Sequence, residues 1–310
     1  MNLTSYSFLI FLPMVLLFCL ICPSRFRVGF LTLASLFFYG LFRPVYLVVI
    51  LFVIVGAYGC GIFLEKKRDK RIFIFGILIL AGILAIFKYT GFLWELLERV
   101  VSVGGAHAPE LPFSIIQPVG VSYFTFQLIS YLTDIYRGKE KAERNFWSFA
   151  LFVSFFPKII SGPVERASDF LSQIHSYSEK KLWDYTRIAQ GFQRMIWGFF
   201  LKLVIADRIN SYVVTVFGNY RQYGSIELWV GCIGFTLQLY ADFNGYVNIA
   251  SGAAKVLGFD LTENFHAPLF SGSITEFWTR WHISLGSWLR DYIIFRWEEI
   301  ERDWAVSAEI

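Results

Sequence analysis

The chain has 310 residues, of which 56% are hydrophobic, 19% aromatic and only 17% charged. Since charged residues make up about a quarter of an average soluble domain, this composition argues against a soluble globular protein. The formal net charge of +4 comes from basic residues in short connections between apolar segments, which excludes the broad basic surface of a nucleic-acid-binding domain.

Eight apolar windows recur along the chain, and several approach the length of about 20 residues that crosses a bilayer as a helix. They fall at residues 6–22, 28–41, 45–63, 72–93, 113–135, 146–160, 188–206 and 226–250. The first window lacks the basic start of a signal peptide, so we expect it to be a retained span. The pattern predicts an all-α, multi-pass membrane protein with about eight transmembrane helices, plus re-entrant or interfacial helices.

Basic residues collect in the connections after the first, third and fifth windows. These are Arg25 with Arg27, the run at residues 66–71, and the run at residues 137–144. Because cytoplasmic loops of membrane proteins are enriched in Lys and Arg, the alternation predicts that these three loops are cytoplasmic. The N-terminus is then expected on the extracytoplasmic side.

The sequence FFPKIISGPVERASDF, residues 155–170, interrupts this pattern. Pro157, Gly162 and Pro163 preclude one straight helix through it, which predicts a re-entrant or interfacial segment.

Three charged residues lie within the same segment. Lys158 and Arg166 are candidates to attract an anionic acyl donor, such as one carrying the phosphates of a coenzyme. In the alternative interpretation Glu165 neutralises Arg166 and the segment binds no ligand.

A second polar cluster is YADFNGY, residues 240–246, at the end of an apolar run. Polar groups at membrane depth need partners, so Asp242 and Asn244 could orient a histidine or line a hydrophilic channel. Equally, Asp and Asn before Gly245 are typical of a helix break or an N-cap.

The densest cluster is SGSITEFWTRWHISLGSWLRDYIIF, residues 271–295. Ser273 and Glu276 form a capping-box pattern, which predicts that one helix begins there and runs through the cluster. Helical spacing would then place His282 and Gly286 on a narrow polar track beside an aromatic stripe. A histidine in an apolar bundle is a candidate general base for acyl transfer, the alternative being a hydrogen-bonded structural histidine.

The four cysteines lie in or beside apolar windows, and their spacing is not that of a zinc site. We interpret them as small hydrophobic residues and predict no metal site.

The segments SGPVERASDF and YADFNGYVNIASGAAKVLGFDLTENFHAPLFSGSITEFWTRWHISLGSWLRDY, within a multi-span frame, resemble the membrane-bound O-acyltransferase family, in particular its bacterial alginate O-acetylases. The resemblance implies an inner-membrane enzyme without a tightly bound cofactor, which takes an acetyl group from acetyl-coenzyme A or a related cytoplasmic thioester. An extracytoplasmic acetyl-transfer protein would complete transfer to an exported polysaccharide. A related branch transfers D-alanine to teichoic acids.

By match of motif, the resemblance assigns His282 a general-base or acyl-positioning role. Asp242 and Asn244 are supporting candidates in the same comparison, and membrane lipid is the implied surrounding.

Residues 1–295 correspond to the family's membrane domain, whereas the charged tail at residues 296–310 does not. Family members continue with further helices and a second histidine in a Trp-His-Gly setting, so the chain resembles a C-terminally truncated member. If the missing histidine is the one that performs acyl transfer, the chain is folded but inactive. Two other functions also stay open at this point: a membrane transporter, since broken helices and buried charges mark substrate pathways there as well, and a scaffold of an export complex.

Overall fold

The computed structural model describes residues 2–103 and 117–294. Within these ranges every regular element is a helix, and the only β-type pairing is one isolated antiparallel bridge between Phe265 and Trp281. The all-α prediction is confirmed for this part of the chain. The charged tail at residues 296–310 lies outside the described residues.

Each predicted apolar window overlaps one helix of the structure. The helices are α1 Tyr6–Ile21, α2 Arg27–Gly40, α3 Pro44–Lys67, α4 Lys70–Val103, α5 Val121–Tyr136, α6 Phe146–Ser154, α7 Ala167–His175, α8 Tyr185–Phe199, α9 Asp207–Gly218, α10 Ser225–Leu257, α11 Ile274–Arg280 and α12 Ile283–Leu289. A π-helical segment, Phe200–Ala206, joins α8 to α9 without a break, and a shorter one, Arg290–Ile294, follows α12.

Two of the described helices are long and apolar enough to cross a membrane. They are α3, Pro44–Lys67, and the part Lys70–Ser102 of α4. The apolar α1 has only 16 residues, and α6 ends after 9. The number of eight spans therefore remains a prediction.

The segment between α6 and α7 is irregular, which confirms that no straight helix passes through it. Phe155, Phe156 and Ile159 in this segment are buried. The ring of Phe155 packs 4.9 Å from that of Phe259, measured between centroids. Irregular backbone is thus enclosed by protein, as it must be when water is absent.

Helices α8 and α10 touch backbone to backbone through two pairs of glycines. Gly191 faces Gly252 and, about two helical turns along, Gly198 faces Gly245. A Cβ added to Gly252 would lie 2.5 Å from the carbonyl oxygen of Gly191, and one added to Gly198 would lie 2.7 Å from that of Gly245. Small residues at such contacts are typical of helices packed in membranes.

Candidate functional site

His282 lies in a break between two helices. As the capping box predicts, α11 begins after Ser273, whose hydroxyl accepts a hydrogen bond from Glu276 N at 3.1 Å. The prediction of one continuous helix through the cluster is wrong, because α11 ends at Arg280. His282 has left-handed backbone angles, φ 45° and ψ 53°, and α12 begins one residue later.

Backbone hydrogen bonds to the preceding loop maintain the break between α11 and α12. Trp281 forms the isolated antiparallel bridge with Phe265. On one side of this bridge His266 N donates to the carbonyl oxygen of Arg280 at 3.0 Å, and on the other Ile283 N donates to that of Asn264 at 3.0 Å. The backbone groups that would have continued α11 are therefore bound to residues 264–266.

The side chain of Asn264 connects this loop to His282. Asn264 is fully buried, and its Oδ1 accepts hydrogen bonds from Ser284 N at 3.1 Å and Ser284 Oγ at 2.8 Å. The same oxygen lies 3.2 Å from His282 Nδ1. Neither Asn264 nor Ser284 is singled out by the sequence analysis.

The imidazole of His282 is half-buried beside an aromatic ring of α10. The Phe243 ring lies 4.8 Å from it, centroid to centroid, in an edge-on arrangement. His282 lies outside the eight predicted apolar windows, and burial lowers its pKa below the usual value. The side chain is therefore neutral near pH 7 and able to accept a proton.

Asp242 and Asn244 lie inside α10, a helix of 33 residues, and neither of them ends or begins a helix. The alternative of a helix break or N-cap at this point is therefore wrong. The carboxylate of Asp242 lies 2.6 Å from Lys202 Nζ, and its supporting role toward the histidine remains a prediction. The same ammonium group lies 2.7 Å from Asp207 Oδ1.

Asn244 belongs to a ladder of hydrogen bonds along α10, which we call the polar ladder. Asn244 Nδ2 donates to Tyr240 Oη at 3.2 Å, and Asn248 Nδ2 donates to Asn244 Oδ1 at 2.8 Å. Arg194 Nε donates to Asn248 Oδ1 at 3.1 Å, and its two terminal nitrogens each lie 2.7 Å from Glu263. The ladder thus ends at the residue that precedes Asn264.

Lys158 and Glu165 are both buried, 3% and 1% exposed. Both carboxylate oxygens of Glu165 bind Thr262, one accepting from its N at 2.7 Å and the other from its Oγ1 at 3.0 Å. Lys158 Nζ lies 3.8 Å from the Phe170 ring centroid and has no hydrogen-bond partner among the described residues. An anion contact at Lys158 remains a prediction, and the ammonium group is enclosed here.

Arg166 anchors the end of the described chain. Its Nη2 lies 2.6 Å from Asp291 Oδ2, so its partner is not Glu165, as the alternative interpretation had it. The guanidinium also lies 4.6 Å from the centroid of the Tyr292 ring. Tyr292 in turn donates a hydrogen bond to Asp134 at 2.5 Å. Arg166 thus joins the residues after α12 to the end of α5.

The left-handed conformation of His282 predicts an unusual order of stability among its variants. A side chain at this backbone conformation costs about 1 kcal/mol that glycine avoids. We expect His282→Gly to unfold at a higher temperature than His282→Ala in mild detergent. The same two changes at the exposed His266, which has no positive φ, should give the reverse order. Equal unfolding temperatures of the two variants at position 282 would contradict the expected backbone strain at this residue.

Comparison with known proteins relates this part of the chain to a protein family. A sequence model of the membrane-bound O-acyltransferase family matches residues 143–296, which contain His282 and Asn264. The probable alginate O-acetylase AlgI of Pseudomonas aeruginosa is 36% identical over 289 residues, 92% of this chain and 54% of the relative.

Two further relatives carry different names. The peptidoglycan O-acetyltransferase of Helicobacter pylori is 31% identical over 291 residues, 85% of this chain and 54% of that protein. The teichoic acid D-alanyltransferase of Bacillus subtilis is 29% identical over 240 residues, 76% of this chain and 58% of that protein. The chain spans somewhat more than half the length of these relatives.

Proposed function

Since the chain belongs to the membrane-bound O-acyltransferase family, we propose that it transfers an acyl group from a thioester to a hydroxyl group with His282 as general base. The donor is acetyl-coenzyme A or a related thioester on the cytoplasmic side. An extracytoplasmic acetyl-transfer partner then passes the acyl group to an exported polysaccharide. The names of two relatives, an alginate O-acetylase and a peptidoglycan O-acetyltransferase, support acetyl as the group.

The placement of His282 is the observation that carries the proposal. A neutral imidazole, held in a helix break by a buried partner, can take the proton of an acceptor hydroxyl as its oxygen attacks the thioester carbonyl. The new C–O bond forms, the C–S bond breaks, and the thiolate leaves with the proton that the imidazole returns. Partial burial of the imidazole limits the access of water, which would otherwise hydrolyse the thioester.

The bacterial inner membrane is the proposed location, with the N-terminus outside. Two helices long and apolar enough to span a bilayer support a membrane location, and the basic loops after the first, third and fifth windows support the orientation. Donor and acceptor would then meet at one site from opposite faces of the membrane.

Acetylation of exported polysaccharide tests the proposal. The chain is expressed beside the external partner in cells that lack their own acetylase, and the acetyl content of the polymer is measured. We expect acetylation from the unaltered chain and a loss of about 10²-fold or more in His282→Ala, because the general base is gone.

His266→Ala is the matched control, since His266 is exposed and on the adjoining loop. It should retain acetylation. Full activity of His282→Ala, at equal amounts of protein in the membrane, would overturn the role of His282. The absence of transfer from every chain would overturn the proposed activity of residues 1–310.

D-alanyl transfer is the second candidate, favoured by the likeness to the teichoic acid D-alanyltransferase. Both reactions move an acyl group from a thioester to a hydroxyl, so the site geometry serves either. Parallel assays with labelled acetyl and labelled D-alanyl donors separate them, and incorporation of D-alanine alone would replace acetyl as the group.

A further inference from the structure

The orientation of the Asn264 side-chain amide is set by a group that cannot change its role. Ser284 N belongs to a peptide bond and can only donate, and it lies 3.1 Å from Asn264 Oδ1. If the amide were turned over, its NH₂ group would face this N–H. The atom that faces Ser284 is therefore the oxygen.

That oxygen also faces His282, at 3.2 Å from Nδ1. An amide oxygen is an acceptor only, so Nδ1 must carry a hydrogen to bond with it. In a neutral imidazole the second nitrogen, Nε2, then holds the lone pair. We propose that Asn264 is a positioning residue, which fixes His282 in the tautomer with hydrogen on Nδ1 and Nε2 ready to accept a proton.

Asn264 is itself held from two sides. Its own carbonyl accepts from Ile283 N at 3.0 Å, and Ser284 Oγ, which donates to it, also accepts from Val164 N at 3.0 Å. Glu165, the next residue, binds Thr262 at the start of the same loop. The amide is thus connected to the backbone of two other segments, and this supports one fixed orientation of the imidazole.

The polar groups of this network leave one donor unused. Asn264 Nδ2 is buried and has no hydrogen-bond partner among the described residues. A residue kept only for its own hydrogen bonds would be expected to satisfy both ends of the amide. The oxygen, which bonds three donors, is therefore the end that the site requires.

Asparagine also keeps the charge of the site at zero. The charged residues next to His282 and Asn264 along the chain are already paired, Arg280 with Glu276 and Glu263 with Arg194. A neutral acceptor on Nδ1 leaves the pKa of His282 low, so Nε2 stays free at neutral pH. A carboxylate in the same place would favour the imidazolium and raise that pKa.

Nitrogen NMR of ¹⁵N-histidine-labelled protein in detergent measures the tautomer directly. The signals of His282 are assigned by their loss in His282→Ala. We expect Nδ1 to have the shift of a protonated nitrogen and Nε2 that of an unprotonated one. In Asn264→Leu the two nitrogens should approach the averaged shifts of a free imidazole. Hydrogen on Nε2 in the unaltered protein would overturn the proposal.

Kinetics with Asn264→Asp provide a second test in a variant that keeps the acceptor oxygen. This variant should fold, since Ser284 keeps its hydrogen-bond acceptor. The pH at which its activity reaches half of the maximum should increase by about 1 unit or more. Activity needs the neutral imidazole, and when the pKa of His282 is higher this form predominates only at higher pH. Asn264→Leu should lower kcat by about 10²-fold with little change in KM.

These experiments separate the inference from the proposed function on which it rests. If the chain shows the expected tautomer but transfers no acyl group, the proposed function is overturned, whereas the assignment of the hydrogen to Nδ1 stands. Transfer with an unchanged pH profile in Asn264→Asp, or with unchanged kcat in a folded Asn264→Leu, would overturn the role of Asn264.

Discussion

Lys158→Met is expected to lower the free energy of unfolding by about 1–3 kcal/mol, because the buried Glu165 carboxylate then loses the attraction of the Lys158 ammonium group. Glu165→Gln should have a cost of the same order, since Lys158 has no hydrogen-bond partner among the described residues and would keep only its contacts with aromatic rings. The double variant should recover much of the loss, because neither charge is then buried alone. Denaturant unfolding in mild detergent measures the four proteins.

Arg144→Met supplies the matched control for these changes. Arg144 pairs with Glu65, but 59% of its side chain is exposed, so its removal should cost no more than about 1 kcal/mol. If the double variant were destabilised by the sum of the two single losses, Lys158 and Glu165 would not be coupled.

Gly252→Ala is expected to destabilise the protein by about 3 kcal/mol, although alanine is the better helix former. The added Cβ would lie 2.5 Å from the carbonyl oxygen of Gly191 and 2.6 Å from Met195 Cγ. Backbone cannot yield as a flexible side chain does, so α8 and α10 must separate. The loss of monodisperse protein after heating, followed by size-exclusion chromatography, measures the effect.

Gly82→Ala is the control for helix propensity alone. Gly82 lies inside α4 with no atom within 4 Å of its added Cβ, so the change should leave stability equal or raise it by up to about 1 kcal/mol. Equal heat resistance of the two variants would mean that the glycine contact between α8 and α10 is not tight.

The helices of the fold could be predicted from the sequence because hydropathy is a local property. Each apolar window overlaps a helix, and the start of α11 follows from Ser273 and Glu276 alone. The irregular segment after α6 follows equally from its prolines. These features need no knowledge of distant residues.

The helix break at His282 could not be predicted in the same way. Residues on both sides of it continue the helical spacing of aromatic side chains, and the groups that interrupt it, at residues 264–266, belong to another loop. Likewise, Glu165 binds Thr262, which lies 97 residues further along the chain. Tertiary packing, and not the local sequence, determines these partners.

In α10 the situation is the reverse, because local preference allowed a helix break that packing prevents. Asp242, Asn244 and Gly245 are typical of a helix end, yet Gly245 lies against Gly198 in the close contact with α8. The helix continues because its polar side chains find partners, Asp242 in Lys202 and Asn244 in the polar ladder. Tertiary contacts here outweigh propensity.

The left-handed backbone at residue 282 also restricts which substitutions evolution can accept there. That conformation disfavours β-branched and bulky residues, and it tolerates Gly, Asn, Asp and His best. Selection for folding alone would thus keep a narrow set of residues at this position in lineages where catalysis is lost. A histidine that is retained at this site is therefore weaker evidence of activity than a histidine on a regular helix.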